Sequence, residues 1–419
     1  MNAIIVLAWK SLLNRKTTAL LTILTVAISV VLLLGVEKIR TQAKSSFANT
    51  ISSTDLIVGA RSGDVNLLLY SVFRIGNATN NIDWKSYQDI AHLPQVKWAI
   101  PISLGDSHRG FRVMGTNSDY FKFYRYGSKQ PLTFQQGTAF HSLFDAVIGS
   151  DVAKKLHYQI GDEIIIAHGI SDKAFTRHKN LPFKIVGIIS PTGTPVDKTV
   201  HVSLAAIEAI HVGWESGAHL GKTPNKDILE NKQFEPKQIT AFMLGLNSKI
   251  QTFMLQRQIN NYPKEPLSAI LPGIALSELW GMMSVAEQAL MIISGFVVVA
   301  GLLGMLTSLL TSLQERRREM AILRAMGAQP KHIFFLLMSE ASALTFFGIS
   351  VGIGLLYIVL SVSAPIIEHQ YGIKIALTGL SHHDIMLLML VQLAGMIIGL
   401  LPSIKAYRHS VADGMTIKL

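Results

Sequence analysis

Twenty consecutive residues, Thr17 to Val36, carry no charge, and three later apolar stretches follow: Ala289–Leu313 and Ile385–Ile404, also free of charge, and Ile333–Ala364, with Glu340 as its one charged residue. A helix of such length crosses the ~30 Å apolar core of a bilayer at about 1.5 Å per residue. Any fold open to this chain must therefore place four apolar helices where their backbone groups need no water. The composition agrees, with 49% hydrophobic residues beside 16% charged ones. A cleaved signal peptide has an apolar core of about 7–15 residues and a small-residue cleavage site. The first run here is longer and leads straight into Glu37-Lys38-Ile39-Arg40, so it reads as an uncleaved first span.

Four spans return the chain to the side on which it starts. Basic residues decide which side that is. Lys10, Arg15 and Lys16 precede the first span, Arg316, Arg317, Arg318, Arg324 and Lys331 fill the second connection, and Lys405 and Arg408 follow the last, against Lys374 in the third connection. The positive-inside bias then assigns both ends and the second connection to the cytoplasm. The reading divides the chain into a cytoplasmic start (1–16), span 1 (17–39), an exterior domain with stalk ends (40–283), span 2 (284–313), a cytoplasmic helix (314–332), span 3 (333–364), an exterior loop (365–384), span 4 (385–404) and a cytoplasmic tail (405–419). In a bacterium this is a multi-pass protein of the inner membrane with its large domain in the periplasm. The net charge of +11 is shared between these flanks and the exterior domain, and no nucleic-acid signature accompanies it, so nucleic acid is not an expected partner. The chain has no cysteine, which excludes disulfides, thiolate metal sites and cysteine nucleophiles.

Between residues 40 and 283 the composition is that of a globular α/β domain, long enough for a core of its own. Strands are expected at Asp55–Val58, Phe111–Gly115, Ala146–Ile148, Glu163–Ala167, Phe183–Ile189, Thr199–Val202 and Ala241–Leu246, and helices at Ser203–Ile210 and Ile250–Asn260. The fold class is thus an α-helical membrane protein of four spans with a large mixed α/β domain inserted between spans 1 and 2.

Residues Gln314–Pro330, QERRREMAILRAMGAQP, carry a dense block of charge between two apolar runs. Leu313, Met320, Leu323 and Met326 fall at helical spacing, Gly327 suits a left-handed cap, and Pro330 stops the helix. The run Arg317-Arg318-Glu319-Met320-Ala321-Ile322-Leu323-Arg324-Ala325-Met326-Gly327-Ala328 directly after a span resembles the signature of MacB/FtsX/LolCDE-type (type VII) ABC-transporter permeases. Lys10, Leu12, Asn14, Arg15 and Lys16 before the first span, and Pro402 with Ala406 near the end, resemble the same family. Val147–Leu156, Ile160–Ile164 and Phe183–Ile188 are similar, more loosely, to its extracytoplasmic domain.

The resemblance implies the membrane subunit of an ABC transporter, itself not an enzyme, which passes ATP-driven motion of a separate ATPase dimer to its periplasmic domain. ATP and magnesium would sit on that partner, with no cofactor on this chain. A second permease copy, forming a homodimer, a periplasmic partner protein and membrane lipid are the further partners it implies. Cargo would be lipoprotein, lipid, peptide or small molecule, or the motion itself would drive a periplasmic process. The ATPase-coupling residues would be Arg317, Arg318, Glu319, Met320, Leu323, Arg324, Met326 and Gly327, with Met320, Leu323 and Met326 as an apolar ridge for the partner's groove. Two other readings stand beside it: a zinc-linked ABC system, and a membrane-anchored receptor with no ATPase.

Other motifs are weaker. Ser216-Gly-Ala-His-Leu-Gly221-Lys222-Thr223 lacks the first glycine of a phosphate-binding loop, because Ser216 stands in its place, and reads as a surface loop. His92, His108, His141, His157, His168, His178, His201, His211 and His219 lie in the exterior domain; they read as scattered turn and surface residues or as a source of zinc ligands, with no ligand spacing to decide. Glu340 is a carboxylate inside span 3, read as packed in the bundle in preference to a proton relay, since no second intramembrane charge faces it. Gly348 with Gly352, Gly395 with Gly399 and Ala300 with Gly304 permit close helix approach within or between subunits. Asp151, Asp162 and Glu163 read as ordinary turn acids. No hydrolase motif is present.

Overall fold

The computed structural model describes residues 15–48, 50–168, 181–212, 226–315, 317–371 and 377–408. Ser216–Thr223, His178 and His219 lie outside them. The chain forms two compact units, one of Met1–Ala43, Ser284–Gln370 and Ile375–Leu419, the other of Lys44–Met283 and Tyr371–Lys374.

The described chain begins with helix α1 (Lys16–Ala48) and continues into the inserted domain. There follow β1 (Leu56–Ala60), α2 (Asp64–Ser71), β2 (Ile82–Asp83), α3 (Trp84–Ala91), β3 (Val96–His108), β4 (Phe111–Thr116), α4 (Asp119–Phe123), β5 (Arg125–Tyr126), β6 (Gln130–Pro131), β7 (Phe134–Gly137) and β8 (Asp145–Ile148). The second half holds α5 (Ser150–Leu156), β9 (Glu163–Ile164), β10 (Ala167–His168), β11 (Phe183–Ile189), β12 (Thr199–Ser203), α6 (Leu204–Ile210), α7 (Lys226–Glu230), β13 (Gln238–Ile239), β14 (Ala241–Leu246), α8 (Thr252–Asn260) and β15 (Leu267–Ile270). Four helices complete the chain: α9 (Pro272–Glu315), α10 (Arg317–Ala325), α11 (Pro330–Tyr371) and α12 (His382–Arg408).

In the helical unit, α1, α9, α11 and α12 are each long and apolar enough to cross a membrane. Large apolar side chains such as Leu21, Phe296, Val362 and Ile397 point outward, as expected where lipid and not water is the solvent. With no hydrophobic drive between helices, close packing and hydroxyl contacts must hold them. A Cβ on Gly348 of α11 would stand 2.6 Å from the Val26 Cβ of α1, and one on Gly352 would stand 2.9 Å from the Ala27 carbonyl. Gly395 and Gly399 of α12 bring that helix equally close to Thr345 and Ala341 of α11. These spacings therefore serve packing within one chain. On α9, Gly301 meets α1 most tightly, its Cβ 2.5 Å from Ser29 Oγ and one position after the expected Ala300, while the expected Gly304 would place a Cβ 3.8 Å from Thr25 Cγ2. Hydroxyls add short bridges: Thr22 Oγ1 to Ser308 Oγ at 3.0 Å and Ser29 Oγ to the Val297 carbonyl at 3.1 Å. The Gln392 amide donates to the Ser342 carbonyl at 3.2 Å. Glu340 is buried in this bundle at 4% exposure.

The helices outrun the apolar runs that announce them. α9 is one helix of 44 residues, carrying the expected stalk Leu276–Gln288 and the span without interruption. α11 continues through Pro365 to Tyr371, so the expected exterior loop 365–384 is shorter, and α12 starts at His382.

The inserted domain is built on an eleven-stranded sheet ordered β15-β1-β14-β3-β4-β12-β8-β11-β7, with β10 also pairing β3 and β9 pairing β11. β1 and β14 are apolar and buried at every position because both faces are covered. On β1, Ile57 enters one core with Leu67, Tyr70 and Met243, while Leu56 and Val58 enter another with Ile90, Phe242 and Leu255. A third core, around Phe144, Ile148, Phe183, Val200 and Ile210, serves β8, β11 and β12. Full burial of each such side chain contributes about 1.5–3 kcal/mol. β3 joins the two halves: Val96–Ile102 pairs β14, Ser103–His108 pairs β4, and the register shifts between Leu104 and Ser107. The strand expected over Glu163–Ala167 is two short pieces, because β9 pairs β11 while β10 pairs β3.

Candidate functional site

The charged block folds as expected of its punctuation. α10 covers Arg317–Ala325, and the chain ends it with the Met326 N–H donating to the Ile322 carbonyl and the Gly327 N–H to the Arg324 carbonyl, each at 3.0 Å. Gly327 stands at φ +99°, a left-handed conformation that a side chain would strain. The Gln329 N–H donates to His332 Nδ1 at 3.1 Å, and Pro330 opens α11, where its missing N–H costs nothing. Four residues, Met326–Gln329, thus separate α10 from α11.

The face that α10 turns inward differs from the expected ridge. Met320 is 9% exposed and packs with Leu313 of α9, Ile333 and Leu337 of α11 and Ala406 of α12; Ala321 is buried beside it. An apolar residue that follows a span by this spacing meets its own bundle first, so Met320 anchors α10 to three spans and is not on the outer face. Ile322 at 51% and Met326 at 72% exposure form the apolar outer surface, and Arg324 is half-buried. The side chains of Arg317, Arg318, Glu319 and Leu323 fall outside the described ones. Ile322 was not singled out in the sequence, although its place two residues after Met320 puts it across the helix from that anchor.

Four described histidines of the inserted domain, His92, His108, His201 and His211, place a ring nitrogen against a nearby carbonyl. His108 is buried, with Nδ1 2.7 Å from the Ile165 carbonyl and Nε2 2.9 Å from the Tyr158 hydroxyl, and burial lowers its pKa. His201 is fully buried against the rings of Tyr120 and Phe121; burial, and then the neighbouring Arg74, lower its pKa to about 3. His92 and His211 contact the carbonyls of Gln88 and Ile207 in their own helices. His157 is the left-handed cap of α5. Among the described residues no three His, Asp or Glu side chains are arranged to hold a metal ion. A cleft of about 770 Å³ lies where β3 changes partners, bordered by Gly105, Asp106, Glu208, His211, Lys232 and Lys237. Nothing in the sequence pattern announces it, since it arises from the register shift.

Two protein families match this arrangement of spans and inserted domain. Residues 19–261 match the family described as MacB-like periplasmic core domain, and residues 291–411 match the FtsX-like permease C-terminal family. The chain belongs to the MacB/FtsX family of ABC-transporter permeases. This permease is a multi-pass membrane protein. It is 23% identical over 344 residues to the pyoverdine export ATP-binding/permease protein PvdT of Pseudomonas fluorescens, a match covering 78% of the permease and 47% of PvdT. The chain thus spans about half the length of the curated relative it matches. Among solved structures it is similar to the periplasmic region of MacB from Actinobacillus actinomycetemcomitans, at 10% identity over 55% of the permease and 94% of that chain, with a TM-score of 0.35. It is also similar to the extracellular domain of the noncanonic ABC-type transporter YknZ from Gram-positive bacteria, at 13% identity over 52% of the permease and 99% of that chain, with a TM-score of 0.30.

Proposed function

We propose that this permease is the membrane subunit of an export system of the bacterial inner membrane, in which a separate ATPase dimer, loaded with ATP and magnesium, drives the inserted domain through α10. One observation carries the reading: α10 is fixed on its inner face by Met320 to three spans, while Ile322 and Met326 present an apolar outer face. A helix so anchored cannot be pushed without moving α9, α11 and α12, and an exposed apolar pair flanked by arginines fits a partner's groove lined with acids. Arg317, Arg318, Glu319, Leu323, Arg324 and Gly327 complete the docking surface. The basic flanks support a cytoplasmic α10 and a periplasmic domain. The permease works as a pair of copies beside the two ATPase subunits, and a periplasmic protein receives the cargo or the motion. Cargo is a lipoprotein, lipid, peptide or small molecule; the export named for PvdT supports outward transport.

The test is the double variant Ile322→Asp/Met326→Asp, assayed for co-purification with the ATPase. Burial of two such side chains contributes about 3 kcal/mol or more, so affinity should fall about 100-fold. Met320→Asp tests a different thing, because it places a charge among Leu313, Ile333 and Leu337 and should unsettle the bundle itself. Unchanged association of the Ile322/Met326 variant would remove the docking assignment.

A further inference from the structure

At the end of the helical unit away from α10, a set of charges is buried where the first charge-free run ends. The Lys38 ammonium of α1 lies 3.1 Å from Asp384 Oδ2 of α12 and donates to the Gly379 carbonyl at 2.7 Å; the two residues are 6% and 2% exposed. Asp384 also caps α12, accepting from the Ser381 N–H at 2.8 Å. Beside this pair, Arg40 Nη2 donates to Glu37 Oε1 at 2.8 Å and Nη1 stands 3.9 Å from Glu287 of α9. His383 Nε2 is 3.9 Å from the same Glu37 oxygen. Two polar atoms in the group, Glu37 Oε2 and Arg40 Nε, are buried with no hydrogen-bond partner. α11 joins through Thr378, whose carbonyl accepts from the Tyr357 hydroxyl at 3.0 Å and whose own hydroxyl meets the Gln42 amide at 3.4 Å. From Arg15, which donates to Ser312 near α10, to Lys38 is about 35 Å of helix at 1.5 Å per residue.

A buried ion pair holds helices together no better than apolar side chains of the same volume, because desolvation offsets its Coulomb attraction. It has one property that apolar packing lacks. When the helices part at the edge of the bilayer, water takes up both charges, so the closed and open states differ little in free energy. The unpaired atoms of Glu37 and Arg40 leave hydrogen-bonding capacity for that second arrangement. We propose that Lys38–Asp384, with Glu37, Arg40 and Glu287 beside it, is a latch that holds α1 to α12 and α9 and opens in each cycle driven through α10. This rests on the coupling reading above. Lys38 and Asp384 are positioning residues: they set when the helix ends separate.

The test replaces the pair by Lys38→Met/Asp384→Asn, which removes both charges and keeps a side chain that can cap α12. The double variant should fold, with a melting temperature at or above that of the parent, and bind the ATPase, yet permease-stimulated ATP turnover should fall at least tenfold. A merely structural pair predicts parental turnover, and that result overturns the latch. A second measurement leaves the pair intact: Gln42→Cys/Thr378→Cys in this cysteine-free chain, bridged by a short bifunctional maleimide. Bridging should arrest stimulated turnover while a monofunctional maleimide does not; turnover unaffected by the bridge overturns the proposal. If the parent itself neither binds nor stimulates the ATPase, the coupling reading fails, and the latch falls with it.

Discussion

At the scale of single residues, His201 shows how burial sets a charge state. Its ring is enclosed by Tyr120 and Phe121, its Nδ1 lies 3.3 Å from the Val147 carbonyl, and its pKa is depressed to about 3. In the unfolded chain the same imidazole takes a proton near pH 6.5. Below that pH the unfolded state binds the proton and the folded state does not, so stability is lost as pH falls from about 6.5 toward 3, by roughly 1.4 kcal/mol per unit from this residue. Hydrogen exchange at β12 of the full chain in detergent should show protection falling between pH 6.5 and 4.5. His201→Gln should flatten that slope; an equal slope in the variant would mean that other groups set it. Nothing in the sequence around His201 marks it as buried beyond the flanking Val200 and Val202, which give the strand but not the depth. The zinc reading of the histidines finds no three-residue cluster among the described side chains.

At the scale of elements, what could be read in advance follows from local rules. The spans are visible because lipid demands long apolar runs, and α10 because Gly327 and Pro330 punctuate it. β14 coincides with its expected Ala241–Leu246, and Ser203, placed in a helix by periodicity, is the cap of α6, accepting from the Ala206 N–H at 3.1 Å. β3, the longest strand, was not legible: Pro101 and Gly105 interrupt its pattern, and its two halves pair different partners. The direction of Met320 was likewise hidden, since helical spacing defines a ridge but not what the ridge faces. Packing between α1 and α11 yields a direct expectation. Gly352→Leu should force these helices apart and lower the detergent melting temperature by several degrees or abolish folding, whereas Gly354→Ala, with nothing within 4 Å of the new Cβ, should be neutral. Equal behaviour of the two variants would show that the close approach is not needed.

At the scale of the whole molecule, the fold class of four spans with an inserted α/β domain was legible in the sequence, while the cleft beside the β3 register shift was not, because it has no linear signature. Sidedness is open to a clean test in a chain without cysteine. With single cysteines at the exposed Lys154 and at Ala328, an impermeant thiol reagent added to spheroplasts should label Lys154→Cys before lysis and Ala328→Cys only after it; the reverse order would invert the topology. The central claim is that the outer face of α10 meets an ATPase. A photo-reactive residue in place of Met326, irradiated in native membranes, measures this most directly, with the outward Leu401 of α12 as the comparison site. The prediction is a covalent adduct between the Met326 position and an ATP-hydrolysing protein, and none from Leu401; adducts to lipid alone at both positions would contradict the account.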